Sequence, residues 1–246
     1  MVVNTPPDEG IHVTDRPRPS ALLFDLQGTA TDFYTPVVAG LREAFPDADH
    51  DELLTRWRAG YFEQTGPEAP VDDAGWVSVH AIYRAALDEV LAEAGLQAGD
   101  DVCEALSRTW QRLEPWPDSI QGLSRLRSRY TTATLSNADV AAAVRICKHA
   151  ALPFDAVFTA EMAGAFKPDP RAYLTAARYL DVPTSEIMMV ACHKYDLRAA
   201  AELGLATAFV ARPLEFGPAG SPDAEFDDAF TINATDFLDL ADQLDC

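Results

Sequence analysis

Ala21-Leu22-Leu23-Phe24-Asp25-Leu26-Gln27-Gly28-Thr29 decides how the rest of this 246-residue chain is read. The stretch opens with a short apolar run, long enough for a buried strand and too short for a helix. The run stops at Asp25, and Gly28 interrupts regular structure three residues later. A carboxylate at the C-terminal tip of a buried strand stands where open α/β sheets bind their ligands. Taken alone, the stretch is explained equally well by a turn aspartate that serves its own loop. Three later stretches separate the two readings.

Working outward, apolar runs alternate with helical stretches, the pattern of an α/β fold with a parallel sheet and crossover helices. Strands are predicted at Ala21–Asp25, Thr131–Leu135, Ala156–Thr159, Ile187–Ala191, Ala206–Val210 and Ala229–Ile232. Helices are predicted between them at Asp118–Arg129, Asp139–Ala150, Pro170–Leu180, Tyr195–Leu203 and Asp236–Leu244. From Pro36 to about Pro115 no convincing strand occurs. Helical patterns there cover Val37–Phe45, Asp51–Gln64, Trp76–Ala94 and Asp101–Leu113, broken at Pro46, Gly66-Pro67, Pro70 and Gly95. In the third of these, Ile82, Ala86 and Val90 recur at helical spacing.

A helical insert is therefore expected after the first strand, closed by Pro115-Trp116-Pro117-Asp118, with Asp118 as the N-cap of the next helix. Its two ends, near Thr35 and Pro117, form a two-strand hinge, and an insert placed directly after the Asp25 loop overhangs it as a lid. The expected organisation is a loose leader at 1–20, a core made of 21–35 and 117–246, and a helical cap at 36–116.

Composition narrows the partners. Lys and Arg number 19 against 39 Asp and Glu, a formal net charge of −20. Such a field repels nucleic acid and anionic membranes, so neither is expected as a partner, and an anionic substrate needs local positive groups. The 48% hydrophobic content suffices for a sizeable core. Cys103, Cys147, Cys192 and Cys246 are widely spaced, without CxxC or zinc-type His/Cys spacing, and read as reduced thiols of a cytoplasmic protein. Met1 to Ser20 is polar and lacks the apolar centre of a signal peptide. No apolar run approaches the roughly 20 residues of a membrane span.

The second deciding stretch is Thr131-Thr132-Ala133-Thr134-Leu135-Ser136-Asn137, a β-prone run ending in a hydroxyl and an amide. Either residue could simply cap the following helix, and a cap is compatible with a substrate contact. The third is Ala165-Phe166-Lys167-Pro168-Asp169-Pro170. Most lysines are solvated, but Pro168 fixes the chain just before a helix and gives Lys167 a defined aim. The fourth is Met188-Met189-Val190-Ala191-Cys192-His193-Lys194-Tyr195-Asp196, an apolar strand that again ends in polar residues. There Asp196 also suits a helix N-terminus, and His193 also suits a surface.

Strand–Asp, strand–Ser, Lys-Pro and strand–Asp, in that order, resemble the four-motif pattern of the haloacid dehalogenase superfamily. The resemblance is closest to the type II 2-haloacid dehalogenases and covers nearly everything from Ala21 onward. It is carried by Phe24 to Thr29, Arg56-Trp57-Arg58, Leu135-Ser136-Asn137, Lys167 to Tyr173, Cys192 to Leu197, and a flap-like Ala208-Phe209-Val210-Ala211-Arg212-Pro213. It implies a Rossmann-like core with a helical cap, often dimeric, acting on a small carboxylate without a cofactor. It implies Asp25 as nucleophile, Lys167 as the cation that keeps it ionised, and Asp196 or His193 as base for the water that hydrolyses an aspartyl ester. Arg58 would meet the substrate or its leaving halide, and Ser136 the substrate carboxylate, with Thr29, Asn137 and Tyr173 in support.

Phosphatases of this superfamily use a second Asp two residues after the nucleophile, where this chain has Gln27. Glutamine is no general acid or base near neutral pH, and hard cations favour carboxylate-rich shells. A metal-independent reaction is therefore expected over an Mg²⁺-dependent phosphatase. A pure binding module would not require the Asp25, Lys167 and Asp196 set. Two departures stand out. Most members carry an aromatic residue at Gln27, and some carry Ser-Asn at Cys192-His193, though His is common in one branch. Gln27 sets an amide beside the nucleophile. That makes ring-opening hydrolysis of azetidine-2-carboxylate, a strained cyclic amino acid, the alternative to haloacid turnover.

Overall fold

The computed structural model describes residues 19–69 and 76–246. In chain order its strands are β1 (Ala21–Phe24), β2 (Thr31–Asp32), β3 (Glu114–Pro115), β4 (Thr131–Ser136), β5 (Ala156–Thr159), β6 (Ile187–Ala191), β7 (Ala206–Val210) and β8 (Ile232–Ala234). Its α-helices are α1 (Tyr34–Ala44), α2 (His50–Thr65), α3 (Val79–Glu93), α4 (Asp100–Thr109), α5 (Ser119–Arg127), α6 (Val140–His149), α7 (Ala160–Ala163), α8 (Pro170–Leu180), α9 (Lys194–Glu202) and α10 (Phe237–Gln243).

Six strands form a parallel sheet in the order β5-β4-β1-β6-β7-β8. Every residue of β1 is buried, because helices cover both faces. Leu22 and Phe24 point into one core, with Met188, Val190, Leu123, Ile146 and Phe237. Ala21 and Leu23 point into the other, with Leu135, Met189, Phe209, Tyr173 and Leu197. Burial on both sides is why these strands read as continuous apolar runs rather than alternating ones.

The insert leaves and returns through β2 and β3, which pair antiparallel with Thr31 opposite Pro115 and Asp32 opposite Glu114. Between them lie α1 to α4, held by an aromatic cluster. Trp57 meets Trp110 edge-on with centroids 5.6 Å apart, and Tyr83 stacks on Trp110 at 4.2 Å and on Tyr61 at 4.5 Å. Asp139, which precedes α6, gives its carboxylate to the insert. It accepts from Trp76 Nε1, Ser78 Oγ, and the N–H groups of Val79 and His80 at the start of α3. Val140 N, at the start of α6, donates to Glu161 Oε2.

Several expectations are corrected. The last strand occupies Ile232–Ala234 rather than Ala229–Ile232, because Ala229 N and Phe230 N donate to Asp227 in a turn and are lost to the ladder. The third insert helix begins at Val79 and the fourth ends at Thr109, where Gln111 N and Arg112 N enter a turn. Short α7 was not foreseen. Asp118 does not cap α5: its carboxylate pairs with Arg212 Nη1 and Nη2, both at 2.8 Å, and accepts from Phe237 N. The predicted leader, apart from its last two residues, and the break at Pro70 lie outside the described residues.

Candidate active site

Asp25 follows directly on β1. Its N–H still donates to Val190 O at 3.0 Å, which extends the ladder by one residue and sets the side chain at the C-terminal edge of the sheet. Carboxylate oxygen Oδ1 accepts from Lys167 Nζ at 3.1 Å and Ser136 Oγ at 3.4 Å. Oδ2 accepts from Thr29 Oγ1 at 2.9 Å and lies 3.3 Å from His193 Nδ1. Burial alone would raise the Asp25 pKa. The Lys167 and His193 cations outweigh it and hold the carboxyl well below the usual range, so the group is ionised.

Lys167 is buried and also donates to Asp196 Oδ2 at 2.5 Å. Burial lowers its pKa, and Asp196 and Asp25 more than restore it, which keeps the ammonium charged. The Lys167–Pro168 peptide is cis. Asn137 clamps the lysine backbone: its Oδ1 accepts from Lys167 N at 2.7 Å, and its Nδ2 donates to Lys167 O at 2.9 Å and Thr65 O at 3.1 Å. With its amide so engaged, Asn137 caps nothing in α6. Tyr173 is fully buried and donates to Asp196 Oδ1 at 2.6 Å. Asn137 and Tyr173, expected to support substrate, thus stand behind the Asp25 carboxylate and act on Lys167 and Asp196. Both oxygens of Asp196 are likewise occupied, by Lys167 and Tyr173.

His193 bridges two carboxylates. Its Nδ1 faces Asp25, and its Nε2 lies 2.8 Å from Glu215 Oε1, while Glu215 Oε2 accepts from Ser221 Oγ at 3.0 Å. Burial pulls the imidazole down; the Glu215 and Asp25 carboxylates, with the Cys192 sulfur, carry it well above its ordinary value. Gly28 makes this arrangement possible. Its φ is +90°, and a Cβ there would fall 2.5 Å from Glu215 Oε1.

Arg58 enters from α2 and is buried. Its Nη1 donates to Gln27 Oε1 at 3.1 Å and contacts the Tyr83 hydroxyl, which itself donates to Gln27 Oε1 at 3.1 Å. The guanidinium carbon lies 4.5 Å from the Tyr61 ring centre and 4.9 Å from that of Phe33. Among the described residues no carboxylate comes within ion-pair distance of it.

The ten predicted site residues thus form two adjoining groups. Asp25, Thr29, Ser136, Asn137, Lys167, Tyr173, His193 and Asp196 make one network, and Arg58 with Gln27 makes the other. Sequence reasoning missed Glu215 and Tyr83. Glu215 is one of 39 acidic residues and carries no motif; its only signal is its place just after the flap-like Ala208–Pro213 run.

The molecule is thus an α/β protein whose parallel sheet carries an aspartate at the tip of β1, a lysine between two carboxylates and an inserted helical layer. The chain belongs to the haloacid dehalogenase-like hydrolase family, whose model matches residues 19–204. It is 28% identical over 195 residues to the (S)-2-haloacid dehalogenase of Xanthobacter autotrophicus, covering 78% of this chain and 75% of that one. Among solved structures it resembles the L-2-haloacid dehalogenase PA0810, with 36% identity and a TM-score of 0.83 over 92% of this chain and 99% of that one. It also resembles the defluorinating L-2-haloacid dehalogenase Rha0230, with 33% identity and a TM-score of 0.86 over 96% and 98%.

Proposed function

We propose that this hydrolase releases halide from short 2-haloacids through an ester on Asp25, without a metal ion. The observation that carries the reading is the pairing of a buried, ionised Asp25 with a buried Arg58 that has no carboxylate partner among the described residues. Burial works against the guanidinium, but the neighbouring tyrosines and the more distant Glu215 keep it charged, so it meets an entering anion as a cation that no carboxylate contacts directly.

In the first step Asp25 attacks the halogen-bearing carbon; a C–O bond forms, and the C–halogen bond breaks with its electron pair on the halide. Lys167 keeps the nucleophile charged and aimed, and Asp196 and Tyr173 hold Lys167. Arg58 receives the halide, and Ser136 Oγ receives the substrate carboxylate. Water then attacks Asp25 Cγ. With the Asp25 charge cancelled in the ester, the imidazole loses one of the groups that keep it protonated. The ring gives its proton to solvent and takes one from the water. Collapse breaks the bond between Cγ and the substrate oxygen, which takes the proton from His193; a 2-hydroxy acid leaves, the remaining proton goes to solvent, and Asp25 is left ionised with one oxygen from water. Between the two candidate bases we favour His193, because its Nδ1 lies 3.3 Å from the Asp25 carboxylate where the water attacks, whereas the Asp196 carboxylate is turned to Lys167 and Tyr173.

No step calls for a cation: Lys167 already spans Asp25 and Asp196, and Gln27 supplies no acid. Residues 36–116 serve as a cap over a core of 21–35 and 117–246, tied to it by Asp139. For azetidine-2-carboxylate, Gln27 would have to offer its oxygen to the ring nitrogen. That oxygen already accepts from Arg58 and Tyr83, which favours the haloacid.

The test is a single turnover in ¹⁸O-water with enzyme in excess over L-2-chloropropionate. Label is expected in the peptide carrying Asp25; label found only in the product would overturn the ester. Parallel assays follow ring opening of azetidine-2-carboxylate and phosphate release from a generic ester, each with and without chelator. Chelator-sensitive phosphate release would refute the metal-free reading.

A further inference from the structure

Cys192 has no part in the chemistry above, yet it stands at its edge. Its sulfur lies 3.6 Å from His193 Nε2 and 3.3 Å from Thr29 Oγ1. Among the described residues one group of three potential metal ligands occurs, Cys192, His193 and Glu215, with their donor atoms all within 4.8 Å of one another. Tetrahedral Zn²⁺ takes sulfur at about 2.3 Å and nitrogen at about 2.0–2.1 Å, which sets S and N roughly 3.5 Å apart, close to the spacing seen here. The Nε2–Oε1 distance of 2.8 Å has to open, as a cation takes the place of a hydrogen bond.

Each donor is also backed by a partner of its own. His193 turns Nδ1 to Asp25 Oδ2, Glu215 Oε2 is held by Ser221 Oγ, and Cys192, whose N–H donates to Thr29 Oγ1, has its position fixed through the backbone. A carboxylate behind the free nitrogen of a histidine is the usual outer shell of a zinc site. Gly28 keeps open the approach of Glu215 Oε1.

We propose that Cys192, His193 and Glu215 form a binding site for a thiophilic divalent cation such as Zn²⁺, and that its occupancy shuts the enzyme off. The cation ties up Nε2 of His193 and breaks the His193–Glu215 contact. The site goes beyond the dehalogenase reading, because its occupancy is measurable without any substrate.

The probe is Co²⁺ added to the full-length protein in the absence of strong chelators. One equivalent is expected to produce a thiolate-to-cobalt charge-transfer band, which Zn²⁺ then abolishes by displacement. Cys192→Ser should eliminate the band, and Cys192→Ala should do the same should the serine variant fold poorly; thermal melting reports folding for both. Zn²⁺ should suppress turnover of L-2-chloropropionate, and chelator should restore it. Losing a ligand should weaken inhibition by at least the roughly 10–100-fold that loss of an outer-shell partner costs. Absence of the band in the unaltered protein, or its persistence in folded Cys192 variants, would overturn the site. A band without Zn²⁺ inhibition would overturn its inhibitory role.

Discussion

Replacing Glu215 by Gln isolates the support behind His193. The change keeps size and a hydrogen-bonding oxygen but removes a buried charge. Glu215 accepts from His193 Nε2 at 2.8 Å and from Ser221 Oγ at 3.0 Å, and it is 1% exposed, so solvent cannot replace it. A hydrogen bond to a charged group contributes about 1.5–3 kcal/mol, against about 0.5–1.5 for a neutral pair. The difference, about 1–1.5 kcal/mol, is borne by the protonated imidazole that forms as water attacks. Since 1.36 kcal/mol is a factor of ten in rate, hydrolysis of the ester should slow by about tenfold. Formation of the ester depends on Asp25, Lys167 and Arg58 and should change little. The assay is rapid-quench measurement of halide and product. The variant should release about one equivalent of halide in a burst and then turn over slowly, with the adduct on Asp25 visible by intact-protein mass spectrometry. A variant slowed equally in both steps, without ester accumulation, would refute a role for Glu215 in the second step.

Other outcomes follow from the same geometry. Asp118→Asn breaks a buried bidentate pair with Arg212 and should destabilise by about 3–5 kcal/mol, lowering Tm by roughly 6–20 °C. Burial raises the Asp118 pKa, but Arg212 and Phe237 N lower it further, so its folded value lies below the unfolded one. Its stabilisation is complete above the unfolded carboxylate value of about 3.9 and is lost as pH falls below that, so the melting difference between wild type and variant should shrink in acid. Gly28→Ala places a Cβ 2.5 Å from Glu215 Oε1 at φ +90° and should cost about 1–3 kcal/mol in urea melts, with a fall in turnover. Asp139→Asn removes the charge at the start of α3 while keeping an acceptor. It should speed amide exchange at Val79 and His80, whose N–H groups it holds; unchanged exchange would show that the cap does not depend on this carboxylate.

The sheet was legible in the linear chain because each strand is buried on both faces and so prints a short apolar run between helix signals. Three of the six predicted strands, Ala156–Thr159, Ile187–Ala191 and Ala206–Val210, have the expected limits. The strand after them was misplaced because a turn held by Asp227 competes locally with the ladder, and local competition leaves no periodic mark. Asp25, Ser136, Lys167 and Asp196 were legible because each sits at a break between an apolar run and a helix or, for Asp196, in the first turn after it, which is a pattern within a few residues.

What the chain by itself determined is the order of strands and helices and the placing of these four side chains at the ends of elements, since burial and backbone geometry act over short spans. The tertiary structure alone decided that Glu215 backs His193, that Asp118 serves Arg212 rather than its own helix, and that Asp139 caps a helix of the insert. The physical reason is common to all three: a carboxylate bonds whichever donor the fold brings within about 3 Å. Two of those donors, His193 and Arg212, lie 22 and 94 residues away along the chain.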